Sequence, residues 1–540
     1  MSTKILLLAM DAGDKNLIGS YVEDGTMKNL RTLLSRGLVG DTISLEGFFE
    51  GSTWPSLYTG VTPARHAFHR LAQLKPGSYE FHRCDVGSLI KNDPFWVPLS
   101  SSGRKVAILD IPLSYVTENI NGIQMVEWGS HDPVYGFCAW PHEMKRDVLA
   151  RFGNHPLQES CDSFPRTPRG FCDFRDLLIR GVKKKTELTK YYLHSDNWDF
   201  MAQVFTEGHC AGHQCWHLHD SSHPSHDPEI ASITGDPIRD VYMAIDAAIG
   251  EILAEIDENT IVVFLASHRM AHNYGAEILL PEILIRLHAA EVLAIGWNQR
   301  LTAFLSWCRN HVPEWTKQVL RPIRDRLLGR PTERGFLPDS CSGIDMQKSK
   351  CFPHDNGNLV GGIRVNLMGR EPDGRIRPGA EMDSFCDELG RDLLDIVDRD
   401  TGVPMIKSVK RTDTLYRGES LVHLPDLLVE WNDEKPVGSA GSGNPKGSRI
   451  QIVSEKIGIV EGINTSCRTG DHRPEGLFIA LGKGIRAGRR DGAVSLMDFA
   501  PTFTQLLGVP LPNVDGRAIP EILEGSAVYS GPNGGSTPAK

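Results

Sequence analysis

At 540 residues the chain is too long for one compact core, and two or three units are expected. Its 40% hydrophobic and 23% charged content is ordinary for a water-soluble protein, and no apolar run reaches the roughly 20 residues needed to cross a bilayer. A net charge of −10 argues against nonspecific nucleic-acid binding, which needs basic patches, and 11 scattered cysteines suit reduced thiols in a cytoplasmic setting.

In chain order, Met1 to Lys4 leads directly into a strand without a signal-peptide pattern, so a cytoplasmic location is expected. Lys4 to Met10 is a continuous apolar strand ending in Asp11. From Glu50 to Phe68 runs a segment with Gly51-Ser52-Thr53-Trp54-Pro55, Gly60, Pro63 and His66. Ser52 or Thr53 fits the N-cap of a helix with Pro55 in its first turn. A hydroxyl there sits in a positive field that favours an alkoxide and a bound phosphoryl group. Residues 80–196 read as an irregular insertion rich in Pro, Asp and aromatics, in which Ser101 to Pro112 is turn then strand. The basic run Arg180 to Lys185 reads as a solvated helix face.

Phe200 to Phe205 is the next buried strand, followed by Glu207-Gly208-His209 and, four residues on, His213. If a helix starts there, both imidazoles share one face and can share a metal ion. Cys210 and Cys215 flank His213 without C-x-x-C spacing and read as packing residues. Thr260 to Ala266 is a third apolar run, ending in Ser267-His268. Residues 276–340 read as a helical cap, from Leu279 to Arg286 and then Leu301 to Arg330, with Trp307, Trp315 and Val319 as core. Glu434 to Ser448 is a Gly/Ser/Pro-rich loop. Glu475 to Leu481 is the fourth run, preceded by Asp471-His472, and 526–540 read as a disordered tail. Runs of this kind suit parallel strands buried on both faces, and in such sheets functional groups gather at strand ends.

The ordered set of motifs resembles the alkaline phosphatase superfamily, and within it the type I phosphodiesterase/nucleotide pyrophosphatase branch. Asp11 with Gly25-Thr26-Met27 and Leu33 to Gly37 is similar to its opening. Thr53-Trp54-Pro55 with Thr59-Gly60, Pro63 and His66 is similar to its nucleophile segment. Gly361 to Asn366 with Gly369-Arg370-Glu371 and Gly374 resembles a stretch seen in many bacterial members. Gly470 to Gly476 resembles the late metal-histidine segment. Ser495 to Thr502, Leu507-Gly508 and Asp515-Gly516 resemble its closing helix.

The resemblance implies a three-layer α/β sandwich with a central, mostly parallel sheet, a core from 1–275 and 340–525, and inserted cap segments. It implies a phosphoric ester hydrolase with two divalent metals and a covalent phosphothreonine. Thr53 then matches the nucleophile, with Ser52 in reserve, and Asp11, Thr53, His209, His213, His268 and His472 match metal ligands. Two carboxylates are replaced: His209 stands where relatives carry Asp, and Ser267-His268-Arg269 stands for Asp-His-Gly. Glu207, Asp220 and Asp471 are the carboxylates that could compensate. The nitrogen-rich set favours zinc, one or two ions, with manganese second. The expected partner is a small phosphorylated substrate. The alternatives are a non-catalytic or single-metal relative that binds a phosphorylated ligand, or a hydrolase of phosphomonoesters or phosphonates. No C/S-x-P-x-R sulfatase segment is present.

Overall fold

The computed structural model of the chain describes residues 3–130, 133–157, 160–293, 341 and 343–524. The four apolar runs form strands over Lys4–Met10, Phe200–Phe205, Thr260–Ala266 and Glu475–Leu481. They sit at the middle of a ten-stranded sheet. Its order is Gly488–Arg489, Leu38–Ile43, Glu475–Leu481, Thr260–Ala266, Lys4–Met10, Phe200–Phe205, Val106–Leu109, Gly122–Val126, Cys138–Trp140, with Val494–Ser495 also on Leu38–Ile43. Alternating side chains of the first strand enter two separate cores. Leu6, Leu8 and Met10 pack beneath the helices Pro168–Leu193 and Pro237–Leu253, while Ile5, Leu7 and Ala9 pack beneath Thr53–Thr59 and Phe499–Leu506. Burial on both faces explains why the runs are continuously apolar. This is the expected α/β three-layer sandwich.

Three expectations are corrected. Glu475–Leu481 is not parallel; it runs antiparallel to both neighbours, Thr260–Ala266 and Leu38–Ile43. Residues 80–196 are not an addition. They supply Val106–Leu109, Gly122–Val126 and Cys138–Trp140 to the main sheet, together with the long helix Pro168–Leu193 that packs on one of its faces. These strands of three to five residues are too short to show a period. Arg180 to Lys185 is not a uniformly solvated face either, because Lys185 is fully buried.

Residues 343–469 leave the central sheet. They build a second lobe around the antiparallel sheet Cys351–His354, Val360–Val365, Leu427–Trp431, Ile406–Arg411, whose core is shared with Phe48, Leu74, Phe81 and Leu280 from outside the lobe. Within it the Gly361 to Glu371 motif is structural. Arg364 Nε donates to Glu371 at 2.8 Å, and Arg370 forks onto Asp426 with two bonds of 2.7 Å. Glu434 to Ser448 is a loop, as expected. Of the expected cap, Leu280–Arg286 is helical, while Leu301 to Arg330 and the 526–540 tail lie outside the described residues. No helix among the described residues is long and apolar enough to cross a membrane. The described cysteines are thiols rather than disulfides.

Lys185 ties the sheet to the helix that comes after Phe200–Phe205. Its ammonium donates to Gly129 O, Val204 O and Thr206 Oγ1, each at 3.1 Å, and lies 3.3 Å from Asp110 and 3.6 Å from Glu207. Burial alone would push Lys185 down, but Glu207 and Asp110 outweigh it and hold it above the ordinary lysine value. Removing the cation strands two buried carboxylates. Lys185→Met should therefore cost about 3–5 kcal/mol and lower the thermal midpoint, whereas the exposed Lys183→Met should stay within about 0.5 kcal/mol. Equal midpoints for the two variants would contradict the clamp.

Candidate active site

The sheet register brings Phe205, Met10, Ala266 and Leu477 side by side. The three parallel strands end here, so Asp11, the Glu207–His219 helix and Ser267-His268 all emerge at one edge. The antiparallel strand enters the sheet from the same edge. Its preceding residues, Asp471 and His472, therefore meet the groups at the ends of the other strands. Asp11 N donates to Phe205 O at 2.9 Å and extends the ladder by one residue.

The histidines are assembled by close backbone packing. His209 and His213 lie one turn apart on Glu207–His219, with ring centroids 4.5 Å apart. His472 lies on Gly470–Arg473, which pairs with Arg269–His272. A Cβ on Gly470 would come 2.2 Å from Gly212 O, and one on Gly212 would come 2.6 Å from Met270. Only glycines let the hairpin lie this close to the helix. The contact is then sewn by Thr469 N donating to His213 O at 2.7 Å and His213 Nδ1 donating to Gly470 O at 2.8 Å. The His472 ring centroid is 4.9 Å from that of His209 and 4.8 Å from that of His213. Ligand nitrogens of all three, all buried, lie within 4.8 Å of one another.

Asp11 and His268 flank the triad. Asp11 Oδ1 accepts the Trp54 indole N–H at 2.8 Å, and Oδ2 lies 3.5 Å from His209 Nδ1. His268 contacts His472 Nδ1 at 2.7 Å through Nε2 and Ser267 Oγ at 2.9 Å through Nδ1. Burial pushes His268 below the ordinary histidine value, with Asp11 opposing part of the effect.

Thr53 opens the helix Thr53–Thr59. Ser52 occupies the N-cap position, as expected, but its side chain makes no capping bond. A turn from Glu46 already runs into the helix, so Ser52 N donates back to Phe48 O at 3.0 Å and Thr53 Oγ1 to Phe49 O at 2.7 Å. Thr53 Oγ1 is also 2.7 Å from Ser44 Oγ. Ser52 Oγ donates to Phe68 O at 2.9 Å. A Cβ on Gly51 would lie 1.8 Å from His69 O, so glycine is required there. Gly60 ends the helix with φ 71°, and its carbonyl accepts Asp515 N and Gly516 N. The closing segment thereby buttresses the segment that carries Thr53.

Asp11, Thr53, His209, His268 and His472 line one cavity of about 640 Å³, whereas Ser52 and Ser267 do not. Of the candidate compensating carboxylates only Asp471 lines it. Glu207 faces Lys185 and His155, and Asp220 accepts from Ser222. Glu50, Arg70, Glu277, Asp355, Asn358 and Arg468 also line the wall. Burial raises Glu50, Glu277, Asp355 and Asp471 above the usual carboxylate range. Sequence reasoning named Asp471 but missed Glu50, Arg70, Glu277, Asp355, Asn358, Arg468 and the role of Trp54. Glu50, next to Gly51-Ser52-Thr53, carried a positional signal; Asp355 and Asn358 come from the second lobe and carried none.

The donor chemistry fits a divalent ion. The Nε2 atoms of His209 and His472 are 3.2 Å apart, close to the edge of about 3.4 Å for a tetrahedron with zinc–nitrogen bonds of about 2.1 Å. His213 Nδ1–H is directed at a carbonyl, which leaves Nε2 as the basic nitrogen.

Among solved structures, phosphonoacetate hydrolase from Sinorhizobium meliloti 1021 in complex with phosphonoformate is similar, with TM-score 0.48 and 13% identity over 94% of this chain and 96% of that one. An inactive variant of murine ectonucleotide pyrophosphatase/phosphodiesterase 5 in complex with AMP gives 0.45 and 10% over 95% and 97%. The human counterpart gives 0.44 and 12% over 95% and 97%. No curated protein matches the chain. The family described as type I phosphodiesterase/nucleotide pyrophosphatase matches residues 5–329, well over half of the chain. The chain belongs to the type I phosphodiesterase/nucleotide pyrophosphatase family, and it is a hydrolase acting on phosphoric ester bonds.

Proposed function

We propose that the chain hydrolyses small phosphorylated substrates, of phosphodiester or nucleotide pyrophosphate type, with Thr53 as nucleophile. The observation that carries this reading is the buried His209, His213 and His472 cluster, of which His209 and His472 line a cavity that also exposes Asp11 and Thr53 while His213 lies behind them. The triad would hold a divalent ion, zinc in preference to manganese because all three donors are imidazoles. Such an ion supplies Lewis-acid charge that lowers the pKa of a nearby hydroxyl and offsets charge on the phosphoryl oxygens.

The remaining steps fall to the chain itself. The 2.7 Å bonds to Phe49 O and Ser44 hold Thr53 Oγ1 in place. The Trp54 indole orients Asp11 beside it. Thr53 Oγ1 bonds to phosphorus as the P–O ester bond breaks, the hydroxyl proton going to the departing ester oxygen; water then cleaves the Oγ1–P bond, leaving its hydroxyl on phosphorus and returning a proton to Thr53. A cavity of about 640 Å³ suits a small-molecule leaving group. Arg70 and Arg468 in its wall suit polar or anionic groups on that substrate. Monoesters and phosphonates are the alternative substrates, and assay of a substrate panel identifies the leaving group.

Thr53→Ala should reduce turnover at least about 10³-fold while costing about 1–3 kcal/mol of stability. Ser52→Ala, outside the cavity, should leave turnover within a few-fold. Single-turnover assays with a phosphodiester would check this, and the reverse pattern would reassign the nucleophile. Chelation should abolish activity, and zinc should restore it. His213→Ala should weaken zinc binding more than the about 10–100-fold that loss of an outer partner costs. Unchanged affinity by calorimetry would remove His213 from the site.

A further inference from the structure

By resemblance His268 matches the histidine of an Asp-His-Gly motif, in which the Asp position is here Ser267. The contacts give His268 another task. Ser267, His268 and His472 are all buried, at 0%, 3% and 6% exposure. His472 Nε2 faces His209 Nε2 at 3.2 Å, and so it is the nitrogen turned into the triad. An imidazole that ligates through Nε2 keeps its proton on Nδ1. His472 Nδ1–H then donates to His268 Nε2 at 2.7 Å. The His268 proton must sit on Nδ1, where it donates to Ser267 Oγ at 2.9 Å. One choice, ligation through His472 Nε2, sets the direction of every bond in the chain.

The same contacts count against a second ion. A neutral imidazole has one basic nitrogen, and in His268 that nitrogen is already aimed at His472. Ser267 offers a neutral hydroxyl, turned to its own neighbour and absent from the cavity wall. The Asp11 carboxylate is shared between Trp54 and His209. What remains of the second position is Thr53 and the single carboxylate of Asp11.

We propose that His268 is a positioning residue, anchored by Ser267, that orients His472 by accepting its Nδ1–H, and that the site takes one divalent ion per chain. This rests on reading His209, His213 and His472 as the metal site.

The test is zinc titration into the metal-free full chain by calorimetry, with bound zinc counted after dialysis. Wild type should bind one zinc. His268→Ala should still bind one, about 10–100-fold more weakly. His268→Gln should recover most of that loss, because the amide oxygen can accept the same N–H although an amide is a poor zinc ligand. If the Ala variant does not fold, the Gln variant decides alone, and one zinc at near-wild-type affinity is the expected result. Two zinc ions in wild type and one in the Gln variant would make His268 a ligand and overturn the proposal. So would a folded Gln variant bound as weakly as the Ala variant. No zinc bound by folded wild type would instead overturn the metal reading on which the proposal rests.

Discussion

Gly470 lies so close to the Glu207–His219 helix that a Cβ on it would meet Gly212 O at 2.2 Å. The histidine cluster depends on that approach. His209 and His213 are placed by one helical turn, but the third imidazole comes from a hairpin more than 250 residues later. A larger residue at either position would lift the hairpin, separate Thr469 N from His213 O, and carry His472 out of reach. An interaction between two backbones thus sets the distance between two side chains.

Topology does the rest. Parallel strands bring the residues beyond their C-terminal ends to one edge, and a strand inserted the other way brings the residues before its N-terminal end to the same edge. The reversed direction of Glu475–Leu481 lets Asp471 and His472 join Asp11, His209 and His268. The second lobe is inserted between the two strands of the hairpin that carries His472, Arg269–His272 and Gly470–Arg473. It therefore lies directly over the cavity and supplies Asp355 and Asn358 to its wall. Charge is managed in depth. Lys185 balances Asp110 and Glu207 beneath the helix start, which keeps Glu207 committed away from the cavity. Glu207 therefore adds no carboxylate to the nitrogen-rich centre, whose nearest carboxylate contact is Asp11 at 3.5 Å from His209.

Much of this was legible in the residues, and the misses have physical causes. Lys4–Met10, Phe200–Phe205, Thr260–Ala266 and Glu475–Leu481 were readable because a strand buried on both faces has no polar alternation to confuse. The four-residue spacing of His209 and His213 was readable because helix geometry converts spacing into a shared face. Strand direction was not, since an apolar run looks the same in either orientation. Val106–Leu109 and its neighbours were too short to stand out. Lys185 was hidden in a basic run, and only tertiary structure shows that its face turns inward. The hydroxyls of Ser52 and Thr53 have the chemistry of caps, but the preceding turn supplies carbonyl acceptors to Thr53 first, and Ser52 turns to Phe68 O. Glu277, Asp355 and Arg468 reach the cavity from separate segments, so no local pattern marked them.

Three imidazoles gathered by the helix and the hairpin, His209, His213 and His472, are the proposed metal centre of this hydrolase. X-ray absorption at the zinc edge of the zinc-loaded full chain tests it most directly. The expected result is a shell containing three histidine nitrogens at about 2.0–2.1 Å, with the multiple-scattering signature of imidazole. A shell dominated by oxygen, or one with sulfur from Cys210 or Cys215 at about 2.3 Å, would contradict it.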